Sequence, residues 1–179
     1  MQIVELCNPA WMTMNLQARD KEGAIQELST LLLHSDRISS LEPYVEAVRE
    51  REEQVSTGVG MGIGIPHGKS SAVLLPSIAF GRSQQGVDFD AIDNQPVYLV
   101  FLLAVPSSFV DREYMKTLAR LARLLVHESF REKLMNASSK EDILAAIQAA
   151  EARFGQGVAR RAGELTSAQA ESANGGVKR

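Results

Sequence analysis

Ser56-Thr57-Gly58-Val59-Gly60-Met61-Gly62-Ile63-Gly64-Ile65-Pro66-His67-Gly68-Lys69-Ser70 decides how this 179-residue chain is read. The stretch sets five glycines and one proline around a single histidine. Glycine tolerates positive φ and lets backbone approach a ligand closely. Pro66 fixes its own φ and biases Ile65 toward extended backbone. His67 is therefore expected at a stiff corner, at the end of a short extended run. Bare N–H groups in such a corner can form an anion-binding nest. An imidazole beside a nest points to chemistry on a phosphoryl group.

Nucleotide-binding motifs fail here on spacing. A Walker A loop needs a glycine where Ile63 stands before Gly68-Lys69-Ser70. Gly60-x-Gly62-x-Gly64 does not spell the dinucleotide fingerprint either. What remains is a histidine acting in its own right, set against a turn histidine that only caps backbone.

Several segments share a pattern: Arg49-Glu50-Arg51-Glu52, Ser56-Thr57-Gly58-Val59-Gly60 and Ile65-Pro66-His67-Gly68-Lys69. Ala79-Phe80-Gly81-Arg82-Ser83, Gly86-Val87-Asp88-Phe89 and Val97-Tyr98-Leu99-Val100-Phe101-Leu102 extend it downstream. Together they resemble the enzyme IIA domain of the sugar phosphotransferase system, in its fructose/mannitol superfamily and nearest its fructose-specific branch. The likeness runs from near the start to about Ile147.

The resemblance implies an α/β fold, a single domain with a mixed β-sheet flanked by helices. It also implies a phosphoryl carrier that uses no cofactor and no metal. His67 maps onto the family's nucleophilic histidine, which accepts phosphoryl from the phosphocarrier protein HPr. The group then passes to a cysteine on the IIB domain of a sugar permease, here for fructose or a related sugar. Arg51 maps onto a family arginine, with Arg49 as its substitute if the helix is rotated. Thr57 maps onto a hydroxyl residue near the phosphate, and Gly68 belongs to the N–H groups of the glycine corner. The family's second active-site histidine stands in a Glu-His-Leu setting; here that setting reads Glu113-Tyr114-Met115. Tyr114 is either a core aromatic or a hydroxyl at the mouth of the site, donating to a phosphate oxygen. The missing histidine keeps open a second reading, a regulatory nitrogen-type enzyme IIA whose phosphorylation state controls a partner protein.

A net charge of −3 argues against nucleic acid as the main partner. Apolar residues make up 45% of the chain, enough for a proper core. The N-terminus lacks the pattern of a signal peptide. Val97–Val105, the longest apolar run, falls far short of the ~20 residues that span a bilayer. A cytoplasmic protein without direct membrane insertion is expected. Cys7 is the one cysteine and reads as a structural thiol. Asp88, Asp90 and Asp93 lack the spacing of a calcium loop.

Along the chain, Trp11–Leu16 alternates like a short strand. Asp20 can cap a helix whose stripe is Ile25, Leu28 and Leu32. Ser40 can cap a second helix, with Leu41, Tyr44, Val45 and Val48 inward and a solvated charged end at Arg49–Glu53. Ser77–Arg82 reads as a strand, Gln84–Pro96 as a polar loop, and Val97–Val105 as a central strand buried on both faces. Asp111 opens a helix with Tyr114 in its first turn. Ser129-x-x-Glu132 and Ser138-x-x-Glu141 read as capping boxes of two further helices. His34 and His127 read as structural or surface histidines. Met61 and Ile63 are candidates for an apolar docking rim around the site, or else are buried strand residues. Residues 1–150 form the expected domain; 151–179, where Gly155-Gln156-Gly157 would end the last helix, form a linker or disordered tail.

Overall fold

The computed structural model describes residues 1–154. The helix stop at Gly155-Gln156-Gly157 and nearly all of the tail therefore lie outside the described residues.

Val97–Val105 organises the architecture. It forms β6 (Val97–Pro106), and both of its faces are covered. One edge of β6 pairs antiparallel with β5 (Ser77–Val87). The other edge pairs in parallel with β3 (Ile63–Gly64) and β4 (His67–Ser70). Beyond β5 lies β1 (Met12–Thr13), and beyond β3 lies β2 (Gly58–Gly60). The result is the expected mixed sheet with helices on both sides.

The period of two along β6 divides its side chains between two cores. Val100, Leu102 and Ala104 pack with Ile25 and Leu28 of α1 (Lys21–His34) and with Tyr44, Val45 and Val48 of α2 (Leu41–Gln54). Leu99, Phe101, Leu103 and Val105 pack on the opposite face. Their partners come from α3 (Asp111–Leu125), α4 (Glu128–Asn136) and α5 (Lys140–Phe154). Tyr44 also reaches the sheet with its polar end, donating to the Leu103 carbonyl at 3.1 Å. That bond satisfies a hydroxyl with no access to water.

Several local expectations shift. The strand at Trp11–Leu16 shrinks to β1: Trp11 closes a short 3-10 turn begun at Pro9, whose Ala10 N–H is held by the Asn8 side chain at 2.9 Å, and the backbone bends at Met14–Asn15, where the Thr13 hydroxyl accepts the Asn15 N–H at 3.3 Å. β5 runs past Arg82 to Val87, with a register shift between them. The polar loop after it buries Phe89 and Ala91. Asp20 caps α1 as expected, accepting the Gly23 N–H at 2.7 Å. Ser40 stands at the N-cap of α2 without a side-chain bond. Ser129 lies inside α4, which His127 precedes as N-cap. The next capping box is displaced by one residue: Ser139 Oγ accepts the Asp142 N–H at 3.1 Å, and the Asp142 carboxylate accepts the Ser139 N–H at 3.1 Å.

The charged helix end is also less solvated than expected. The Glu52 side chain is only 6% exposed. α5 continues through Glu151–Phe154, so a boundary at residue 150 cuts a helix. Glu151 accepts the N–H groups of Ile3 at 2.7 Å and Val4 at 3.0 Å, tying the start of the chain to its last described helix. His34 is exposed at the end of α1, and His127 stacks on Phe154 with 3.6 Å between ring centroids. Burial pushes the Cys7 thiol up to about 12, which leaves it an inert core side chain.

Candidate functional site

β3 and β4 are one parallel strand with a lapse in it. Ile63 pairs with Leu99 and Gly64 with Val100; His67 then resumes the same register opposite Leu103. Between them lies Ile65-Pro66, and proline has no N–H to give the ladder. The carbonyls of Gly62 and Pro66 face β6, accepting from Leu99 and Leu103 at 3.0 Å each. Alternation turns Ile65 the other way. Its N–H donates to the Thr57 carbonyl at 3.0 Å, and its own carbonyl meets His67 Nδ1 at 2.7 Å. His67 thus begins a strand segment rather than ending one, which corrects the expected corner.

That contact settles the tautomer. A carbonyl oxygen can only accept, so Nδ1 carries the hydrogen and Nε2 keeps its lone pair. Burial holds the His67 pKa below the ordinary histidine value. The Ile65 bond opposes this, the Arg51 charge reinforces it, and the Glu52 charge opposes it. A neutral imidazole with a bare Nε2 is the result at neutral pH.

Opposite the imidazole is Tyr114, in the first turn of α3. Its ring stands edge-on to His67, with centroids 5.9 Å apart and 67° between planes. The ring also packs against the α3 core, as the core-aromatic reading expects. Burial pushes its phenol up to about 12, against a smaller opposing effect of Arg51. It remains a protonated donor. The ion pair Lys69–Asp111 ties β4 to the start of the same helix.

Arg51 comes from the last turn of α2. Its Nη1 donates to the Val55 carbonyl at 2.9 Å, and its charge reaches both His67 and Tyr114. Arg49 does not substitute for it. That guanidinium is held on the far side by Glu22, Glu42 and Glu46.

The glycines do a different job from the expected nest. Gly60, Met61 and Gly62 have φ of +89°, +59° and +74° and form the tip of the β2–β3 hairpin. The others make room. A Cβ on Gly58 would lie 2.7 Å from Ala91 Cα, one on Gly64 3.1 Å from Phe89, and one on Gly68 2.8 Å from Val48 Cγ2. Gly68 is therefore a packing residue between β4 and α2. Its N–H shares the side of the Pro66 carbonyl, toward β6, so it is turned away from any group on His67. The N–H groups on the other side belong to His67 and Lys69. The docking-rim expectation divides: Met61 is half exposed, and Ile63 is fully buried.

Thr57 is buried beside the strand lapse. Its hydroxyl and its N–H both go to Glu52, the latter at 3.1 Å. Glu52 in turn pairs with Lys21 at 3.1 Å. Neither Glu52 nor Lys21 is visible as a site residue in the sequence. The one available signal was that Glu52 follows Arg51 and precedes Thr57 by five positions across a helix end.

The site sets one tautomer-fixed imidazole beside the Tyr114 ring and the Arg51 charge, in a mixed sheet with helices on both sides. The chain belongs to the family described as "Phosphoenolpyruvate-dependent sugar phosphotransferase system, EIIA 2", which matches residues 5–150. It is thus a phosphotransferase component. A fructose-specific EIIA component from Haloferax volcanii is 44% identical over 71% of this chain and 84% of its own length. A fructose-specific EIIABC component from Bacillus subtilis is 39% identical over 80% of this chain, which spans only 22% of that larger relative. Among solved structures, the nitrogen regulatory protein IIA-Ntr from Neisseria meningitidis superposes with a TM-score of 0.75 at 33% identity. That match covers 81% of this chain and 98% of the other. No helix among the described residues is long and apolar enough to cross a membrane.

Proposed function

We propose that this chain carries phosphoryl on His67 Nε2 during uptake of fructose or a related sugar, in the cytoplasm. The donor is a phosphorylated HPr-type protein and the acceptor a IIB domain. The observation that carries this reading is the Nδ1–Ile65 contact, which leaves Nε2 as the nucleophile. In the transfer, the Nε2 lone pair forms the new N–P bond. The donor's N–P bond breaks, and its electron pair returns to the donor nitrogen. Charge in the transition state is spread over three equatorial oxygens. Arg51, the Thr57 hydroxyl and the Tyr114 hydroxyl are the groups proposed to meet it; Gly68 contributes by letting α2 approach. The fructose-specific names of two relatives support the sugar, and the A, B and C components joined in the Bacillus subtilis name support a IIB acceptor.

The test is intact-mass spectrometry after incubation with phosphoenolpyruvate, enzyme I and HPr, on wild type and His67→Ala. One acid-labile phosphoryl on wild type alone is expected. Full labelling of His67→Ala would overturn the assignment. The likeness to IIA-Ntr favours a second reading, a regulator of a partner protein. Adding a fructose-type IIB domain separates the two: a carrier loses its phosphoryl to IIB, and a regulator keeps it.

A further inference from the structure

We infer that Glu52 sets how firmly the phosphoryl group is held on His67, by competing with that group for the Thr57 hydroxyl proton. The inference rests on the carrier reading above. A threonine hydroxyl has one proton to donate. Here it goes to Glu52 Oε1, while the Thr57 N–H goes to Oε2 of the same carboxylate at 3.1 Å. The donor that a phosphate oxygen on His67 would use is therefore occupied before the phosphoryl arrives.

Glu52 is well placed to resist giving it up. Its side chain is 6% exposed, and its one ion-pair partner among the described residues is Lys21, at 3.1 Å. Lys21 is itself held by Ser56 Oγ at 3.3 Å and lies 5.4 Å from the centre of the Phe89 ring. A buried carboxylate with a single cation keeps its acceptors engaged, because an unpaired one is costly. The Glu52 charge is also felt at His67, where it opposes the effect of Arg51. A phosphoryl group with up to two negative charges would meet both effects. It competes for the Thr57 proton, and it is repelled by the carboxylate. Arg51 pulls toward the phosphorylated state and Glu52 pulls away from it. A carrier needs this balance, because a group held too firmly is not passed on.

The measurement is the equilibrium ratio of phosphorylated to free chain at a fixed ratio of phosphorylated to free HPr, read by intact mass. Glu52→Gln keeps the shape and an acceptor oxygen and removes the charge. It is expected to raise the ratio about tenfold, since hydrogen bonds to charged groups have about that effect or more. Lys21→Gln leaves the carboxylate uncompensated and is expected to lower the ratio several-fold. A purely structural tie would slow both directions and leave the ratio where it was. A Glu52→Gln ratio that is unchanged or lower, in protein that unfolds cooperatively, overturns the inference. If Glu52→Gln does not fold, Lys21→Gln decides, and a ratio that is unchanged or raised overturns it. In a Thr57→Val background the Glu52→Gln effect should shrink, because the contested proton is gone. Wild type that takes no phosphoryl at all would instead bring down the carrier reading, and this inference with it.

Discussion

Gly68→Ala tests whether the glycines around His67 serve packing. The new Cβ would lie 2.8 Å from Val48 Cγ2 and 3.0 Å from the Val48 backbone nitrogen, with Ala47 C at 3.3 Å. A side-chain methyl can rotate away, but a helix backbone cannot. Ordinary carbon contacts begin near 3.5 Å, so β4 and α2 must separate by about 0.5 Å. Overpacking of this kind costs about 1–3 kcal/mol. For a chain of this size that is a drop of roughly 2–12 °C in melting temperature. His67 is the neighbouring residue, and a reacting atom displaced by ~1 Å can cost about a hundredfold in rate. Half that displacement should slow phosphoryl acceptance about tenfold. Urea unfolding gives the stability and single-turnover phosphorylation gives the rate. A stability change under ~0.5 kcal/mol would refute the packing argument. Full stability with lost phosphorylation would instead return Gly68 to direct phosphate binding.

Three other outcomes follow from the same geometry. Phe89→Ala should cost about 3–5 kcal/mol in urea unfolding, since the ring is fully buried against Gly58 and Gly64; a loss under 1 kcal/mol would mean the loop closes over the gap. Tyr114→Phe keeps the ring and removes the donor, so phosphorylation should slow by about tenfold or more with little change in stability; an unchanged rate would leave Tyr114 with packing alone. Because the His67 pKa lies below its unfolded value near 6.5, the unfolded chain binds a proton that the folded chain refuses. Stability should therefore fall as pH drops from 6.5 toward the folded pKa, and phosphorylation should hold its rate down to the same window. A rate that titrates at or above pH 6.5 would contradict the burial of the ring.

The elements that the sequence made legible are those with strong periodicity. Val97–Val105 has no polar interruption except the Tyr98 hydroxyl, so a strand buried on both faces was the natural reading. The stripes at Ile25, Leu28 and Leu32 and at Tyr44, Val45 and Val48 marked two helices that bury one face each. Short or irregular elements were less legible. The 3-10 turn that Pro9 begins took Trp11 from the first strand, and Ser129 offered a capping pattern two residues too late. At the site, His67 was legible from Pro66-His67-Gly68, and its bond to a backbone carbonyl followed from needing one bare nitrogen. The meaning of the glycines was not. Positive φ and close packing both select glycine, and only the neighbours Ala91, Phe89 and Val48 tell them apart. Glu52 was hidden for a similar reason. A glutamate in a charged helix end looks solvated until Lys21, from another helix, is folded against it.

The register of β4 against β6 explains why one short strand can serve two helical layers. Side chains on a strand alternate faces, and paired residues in a parallel ladder point the same way. His67, opposite Leu103, therefore faces the core of α3, where Tyr114 meets it. Gly68, opposite Ala104, faces α2 and lets Val48 come close. Lys69, opposite Val105, returns to the α3 side and binds Asp111. Three consecutive residues thus fix the imidazole between the start of one helix and the end of another. A regular ladder would have offered the Ile65 carbonyl a strand partner. Here Thr57 lies opposite Ile65 and accepts its N–H, but the Thr57 N–H that would complete the pair goes to the Glu52 carboxylate, so the Ile65 carbonyl is left for the imidazole. The tautomer that leaves Nε2 bare is thus a consequence of Glu52 taking the Thr57 N–H. Changes that release the Thr57 N–H to the Ile65 carbonyl should disturb the chemistry before they disturb the core.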